Sequence, residues 1–366
     1  MMKLYFPGFI TSIILLFAPE FSVSAQELIP LNPGVYDQWK SIERPLISQN
    51  GQIISYEVNP QLGDGCLIIV QPGSGRSDTI ARAYDAVFSP SDDFSAYKVK
   101  PLYKDTRKAK LDGKKKDDLP KDSLGISAFN GKIYRYSGLK SFDLPVKKGN
   151  FLAVLLEISK PEVTKDTATI DTANQTGNTG VAEKQPVKAK VDKKKDKTEV
   201  YTLKLIFPSD SLIYTRDSVS AFTISENGSN VAYSTYSNDS LPVSKVFMFE
   251  TGVKKEREIF SGSGFIRNLS LDTAGIQLAF MHSSDTSDAK RYRLLYYNKR
   301  LSVVADTAAK EFPSGFCPGE HGKVYFSQDG SKLYFGIAPT PRPEPKDTLT
   351  DDEKARVDLW HWKDPL

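Results

Sequence analysis

"ISENGSNVAY", Ile224 to Tyr233, decides the fold. An apolar residue leads into three turn-type residues and a glycine, and a short strand follows that ends on an aromatic ring. Asn-Gly favours the positive φ angles of a tight turn. The residues after it alternate, so one face of the strand can be buried. The same shape recurs as "ISQNGQIISY" from Ile47, "FSPSDDFSAY" from Phe88, "LDTAGIQLAF" from Leu271 and "FSQDGSKLYF" from Phe326. Its fifth position is Gly51, Asp92, Gly228, Gly275 and Gly330. Five residues later stand Tyr56, Tyr97, Tyr233, Phe280 and Phe335. A weaker copy, "PVKKGNFLAV", has Gly149 at the fifth position and Val154 in place of the aromatic. A ring at one fixed offset predicts one packing layer used in every copy.

Successive copies lie 41, 57, 79, 47 and 55 residues apart. Short strands repeating about every 40–50 residues are the mark of β-propeller blades, small sheets that bury their faces only against neighbours. The expected fold is therefore all-β, an incomplete β-propeller of about six blades. An irregular pair of β-sandwiches is the alternative. A short helix is expected ahead of the first blade in "LNPGVYDQWKSI": Asn32 is its N-cap, Pro33 its first residue, and Val35, Trp39 and Ile42 form a docking face.

The 79-residue gap contains Pro161 to Glu199, a stretch rich in Thr, Lys, Asp and Ala without one aromatic residue. Such a segment buries too little apolar surface to offset its ordering entropy. It is expected to be a disordered insertion at 161–199, with a second, lysine-rich one at 104–122. Lys104 to Asp122 carries a basic excess of +3 and Glu183 to Thr198 one of +4, together more than the net charge of +4, so the remaining chain is mildly acidic. That pattern argues against a nucleic-acid partner.

Residues 1–25 read as a secretory signal peptide. Lys3 supplies the positive start, Phe9 to Ala18 the apolar core, and Val23-Ser24-Ala25 the cleavage site. The mature chain, 26–366, is expected in the periplasm or outside the cell, with no membrane span after cleavage. Cys66 and Cys317 are the two cysteines. One bridge is possible in an oxidising compartment, but two thiols buried in strands are the preferred reading.

Motifs for chemistry are missing. There is no G-x-S-x-G elbow. The Gly-Ser-Gly runs at 73–75 and 262–264 lack its spacing and read as hairpin turns. His282, His321 and His361 fit no zinc spacing, and there is no P-loop or calcium loop. No cofactor or metal is expected. Asp92-Asp93 and Asp351-Asp352 read as solvated loop charge. "VDLWHWKDPL", Val357 to Leu366, alternates like a strand. His361 there could line a channel while Trp360 and Trp362 stack on a ligand; filling a gap between blades is the preferred role for the two rings. These three residues are the candidate binding positions.

"LNPGVYDQWKSIERPLISQNGQIISYEVNPQLGDG", "YKDTRKAK", "LPKDSLGI" and "PRPEPKDTLTDDEKARVDLWHWKDP" closely resemble the amino-terminal half of exported prolyl-oligopeptidase-like serine peptidases of Bacteroidetes-type bacteria. The resemblance runs from about Leu31 to Leu366, interrupted by the low-complexity insertion. It implies a propeller that precedes an α/β-hydrolase domain bearing a Ser-Asp-His triad, with peptides as substrate. The triad would lie downstream, so the resemblance implies no catalytic residue here, and a chain cut before the catalytic domain. A glutamate pair for a substrate amino terminus is absent, since the sequence has no adjacent glutamates. The expected function is a substrate-gating propeller with no catalysis of its own. A stand-alone peptide- or protein-binding propeller of the cell envelope is the alternative; an enzyme using propeller-borne carboxylates is a third.

Overall fold

The computed structural model describes residues 39–129, 131–158, 198–307 and 312–343. Nearly every element is an antiparallel strand, in sheets whose order follows the sequence. β1 (Lys40–Ile47), β2 (Ile54–Pro60), β3 (Cys66–Gln71) and β4 (Arg76–Ala81) form the first unit. β5 (Ala83–Phe88), β6 (Phe94–Val99), β7 (Ser123–Ala128) and β8 (Ile133–Tyr136) form the second, with α1 (Tyr103–Leu111) between β6 and β7. A seven-stranded sheet follows: β9 (Leu139–Asp143), β10 (Leu152–Leu156), β11 (Tyr201–Phe207), β12 (Leu212–Ile224), β13 (Asn230–Ser237), β14 (Val243–Glu250) and β15 (Lys255–Ser263). It is two units merged. β12 has 13 residues. Its early part closes the third unit against β11, and its late part opens the fourth against β13. β16 (Phe265–Leu271), β17 (Leu278–Ser283), β18 (Arg293–Asn298) and β19 (Arg300–Ala305) make the fifth. The sixth holds two short pairs, β20 (Phe316–Pro318) with β23 (Ile337–Pro339) and β21 (Tyr325–Phe326) with β22 (Leu333–Tyr334).

The five repeated corners are one turn. Gly51, Asp92, Gly228, Gly275 and Gly330 have φ of 72, 54, 69, 74 and 71°. Each donates its N–H to the carbonyl three residues back, Ser48, Ser89, Ser225, Asp272 or Ser327, at 2.9–3.0 Å. That same residue's side-chain oxygen accepts the N–H five residues on, from Ile53, Phe94, Asn230, Gln277 or Lys332, at 2.9–3.2 Å. Each corner joins two consecutive, paired strands of a unit. Gly149 differs, with φ 108°.

Corners of neighbouring units also touch, in sequence order. The Asn50 N–H donates to Asp92 Oδ2 (2.8 Å), and Asn150 Nδ2 to Asp93 Oδ2 (2.5 Å). The Lys147 N–H reaches the Glu226 carbonyl (2.7 Å), Asn227 Nδ2 the Ala274 carbonyl (3.1 Å) and Gln277 Nε2 the Gly330 carbonyl (2.9 Å). Asp92 is therefore buried, not the solvated charge its neighbour Asp93 suggests.

Packing repeats the same order. In β10, Leu152, Val154 and Leu156 pack toward the second unit, and Ala153 and Leu155 toward the fourth. In β17, Leu278 and Phe280 face the fourth unit, and Ala279 and Met281 the sixth. Middle strands are apolar on both faces because both are covered. The recurrent aromatics Tyr97, Tyr233, Phe280 and Phe335 all lie on the face toward the preceding unit. Among the described residues no unit precedes that of Tyr56. With Ile54, Val58, Ile68 and Val70 it lines a half-buried outer face. No sheet among the described residues joins the first unit to the last.

Several expectations are corrected. Ser41 and Ile42, expected in a helix, pair with Asn59 and Val58 in a strand. The ladder to β2 outweighs their helical spacing, and Trp39 is 50% exposed. Residues 32–38 lie outside the described ones. The stretch 104–122 is not structureless: α1 occupies its start, with a 3-10 turn at Lys116–Asp118. Asp105 sits in the first turn and Lys108 and Lys110 in the last, matching the helix dipole. Asp64 Oδ1 accepts the Tyr103 N–H (3.0 Å), Ala109 is buried, and Gly113 at φ 72° ends the helix. Gly73 to Gly75 does turn between β3 and β4, but Gly264 carries the chain from β15 to β16, which do not pair. Cys66 is half-buried, Cys317 buried, and both are free thiols.

Candidate functional site

The first strands of the units carry a second repeat, invisible as a motif. Arg44, Asp85 and Asn268 have φ of 48, 54 and 53°, each seven residues ahead of Gly51, Asp92 or Gly275. Each stands at a register slip in β1, β5 or β16. Such bulges re-aim side chains. Here they aim them at the adjoining unit. Arg44 Nη1 lies 3.0 Å from Asp85 Oδ1 and 3.9 Å from Glu57 Oε1. The Asp85 N–H donates to Glu57 Oε1 at 2.8 Å, and Lys98 Nζ pairs with Asp85 Oδ2 at 2.7 Å. Glu57 is only 3% exposed, and this network holds it charge-compensated. Asn268 Nδ2 donates to the carbonyls of Glu320 (2.8 Å) and Gly322 (2.9 Å), which ties the fifth unit to the sixth.

Beside this network a cavity of about 460 Å³ opens between β5 of the second unit and β9 of the third. Both strands are free edges of their sheets. Val87, Phe88, Phe142, Leu144, Pro145 and Val146 give it apolar walls. Gln49 Nε2 reaches across from the first corner to the Val146 carbonyl (3.4 Å). Four charged residues line it: Asp85, Lys98, Lys140 and Asp143. Asp85 and Lys98 neutralise each other. Lys140 turns away to Glu199 (3.1 Å), with its ammonium over the Tyr201 ring; its pKa is raised, first by the contact with Tyr201.

Among the described residues no cation pairs with Asp143, which is exposed at the end of β9. Its Oδ1 accepts the Leu144 N–H at 2.9 Å, and desolvation raises its pKa above the ordinary carboxylate value. The cavity therefore offers apolar surface, two strand edges and one uncompensated carboxylate.

Trp360, His361 and Trp362 lie outside the described residues, as do residues 1–25 and 159–197. His282 is buried, with Nε2 against the Ser263 carbonyl (2.8 Å) and Nδ1 facing Arg293 Nε (3.4 Å). His321 is exposed beside Glu320. Among the described residues no three His, Cys, Asp or Glu side chains gather as a metal site. No described helix is long and apolar enough to cross a membrane. The cavity was not foreseen because β5 and β9 meet only once two units pack. The one trace in sequence is a polar residue seven places before a corner.

No family model matches the sequence, and no curated protein matches it. Among solved structures the chain is similar to the β-propeller domain of the Trilobed protease from Pyrococcus furiosus: 10% identity, TM-score 0.40, covering 83% of this chain and 86% of that one. It is similar to the Pyrococcus horikoshii acylaminoacyl peptidase at 10% identity and TM-score 0.40, covering 82% of this chain and 43% of that one. An oligogalacturonate lyase in complex with manganese matches at 12% identity and TM-score 0.38, over 81% and 76% of the two chains. The chain thus spans less than half the length of the acylaminoacyl peptidase.

Proposed function

We propose that this chain is the β-propeller portion of an exported serine peptidase of the prolyl-oligopeptidase type, six blades that filter peptides toward a catalytic domain and do no chemistry themselves. The chain of hydrogen-bonded corners carries this reading. It sets the units side by side in sequence order, and β1, β5, β9 and β16 each lie at the edge of a sheet, where they would rim a common channel. The sequence stretches that resemble the peptidases supply the peptide context. A rim of paired charges with one apolar cavity suits extended chains and turns away folded ones, which present neither strand edges nor loose side chains. In this reading Trp360 and Trp362 fill the seam beyond the sixth blade, and His361 faces the other way.

The test uses this chain and the longer protein, with a hydrolase domain, that this reading requires. A fluorophosphonate probe should leave this chain unlabelled and label the longer protein. Loosening the corners there, by Gly228→Ala, should raise cleavage of a folded protein substrate relative to a short peptide. Labelling of this chain, or an unchanged ratio, refutes the reading.

A further inference from the structure

We propose that the cavity between β5 and β9 recognises a cationic group carried on an extended apolar peptide, with Asp143 as the counter-ion. The inference rests on the peptide-filtering reading and gives it a substrate class. Three independent features converge. The first is charge. Of the four charged residues lining the cavity, Asp85 and Lys98 form an ion pair at 2.7 Å, and Lys140 is held by Glu199 at 3.1 Å. What remains is a carboxylate with no cation partner among the described residues, so an entering ammonium or guanidinium completes a pair. Asp143 stands open to solvent at the end of β9, so an entering cation can reach its carboxylate.

The second feature is the wall. Val87 and Phe88 on one side and Phe142, Leu144 and Val146 on the other leave no other unpaired charge for a peptide to meet. An aliphatic or aromatic residue next to the cation would cover them. The third is backbone. β5 and β9 are each the outer strand of their sheet and both line the cavity; of their edge groups the Asp85 N–H is taken by Glu57 and the Leu139 N–H by the Asp122 carbonyl. Strand addition to such an edge is a standard way to hold a peptide by its main chain while pockets choose among side chains. Among the described residues β5 pairs only with β6 and β9 only with β10, so no strand ladder occupies the rest of either edge.

Two sources of the cation share this chemistry, a peptide amino terminus and a lysine or arginine side chain. Three fluorescent hexapeptides of Val, Phe and Ala separate them: one acetylated with a central lysine, one acetylated with norleucine there, and one with norleucine and a free amino terminus. Binding to the purified chain is read by fluorescence anisotropy. Either cationic peptide, or both, should bind at least tenfold tighter than the neutral one. Asp143→Asn should erase that preference and leave the neutral peptide's affinity unchanged, whereas Asp217→Asn, a distant exposed control, should not. The unfolding midpoint checks that Asp143→Asn is folded. Equal binding of all three peptides, or a preference that survives Asp143→Asn, overturns the inference and leaves peptide filtering standing. No binding of any peptide overturns both.

Discussion

Replacing Gly228 by alanine tests the corner chain directly. Gly228 has φ +69°, and a Cβ there would sit 2.2 Å from the Lys148 carbonyl oxygen and 3.1 Å from Pro145 Cβ. The partner is backbone and cannot swing aside. Left-handed backbone costs a non-glycine residue about 1–2 kcal/mol, and overpacking adds about 1–3 kcal/mol. Gly228→Ala should therefore lose about 2–5 kcal/mol. Gly51 is its control. It has φ +72°, the same turn, and nothing within 4 Å of its would-be Cβ, so Gly51→Ala pays the backbone cost alone, about 1–2 kcal/mol. Urea unfolding followed by circular dichroism gives both, provided the m-values agree with wild type. Costs equal within about 0.5 kcal/mol would mean that the third and fourth units do not meet at Lys148 and Gly228, and the side-by-side order of units would fall with them.

The in-register aromatics give a second comparison. Tyr97→Ala should cost about 3–5 kcal/mol, since its ring is 1% exposed and lies on Gly125. Tyr56→Ala, on the half-buried outer face of the first unit, should cost less than half as much by the same unfolding assay. A third concerns pH. Burial lowers the pKa of His282 from 6.5, so the folded chain holds fewer protons there than the unfolded chain. Stability is then full above the unfolded value and declines as pH falls through and below it, by at most about 1.4 kcal/mol per pH unit. His282→Gln keeps a donor for the Ser263 carbonyl and should flatten the midpoint between about pH 7 and about pH 5. An unchanged slope would show that His282 is not the titrating group.

The corners were legible because everything that makes them is local. A serine or aspartate caps the turn, a glycine or aspartate takes the left-handed position, and the strand follows at once. The aromatic offset put the rings on one strand face in every copy, because side chains alternate with a period of two; that this face points to the preceding unit is seen only in the packing. What stayed hidden depends on neighbours. The bulges at Arg44, Asp85 and Asn268 arise from cross-strand register, and a polar residue seven places before a corner is too common to announce them. Glu57 reads as an ordinary strand glutamate until Arg44 and the Asp85 amide close over it. Residues 104–122 misled because composition measures average burial, while one anchored turn, Tyr103 on Asp64 and Ala109 in the core, suffices to order a helix.

β12 has a mechanical meaning. Because one unbroken strand serves two consecutive sheets, sliding them apart would tear a ladder of main-chain bonds, while every other junction is held by side chains and loop contacts. The molecule should therefore flex like a folding screen with two panels riveted together. Any breathing that admits a ligand falls to the remaining joints, and the joint between the second and third panels is the one with the β5–β9 cavity beside it.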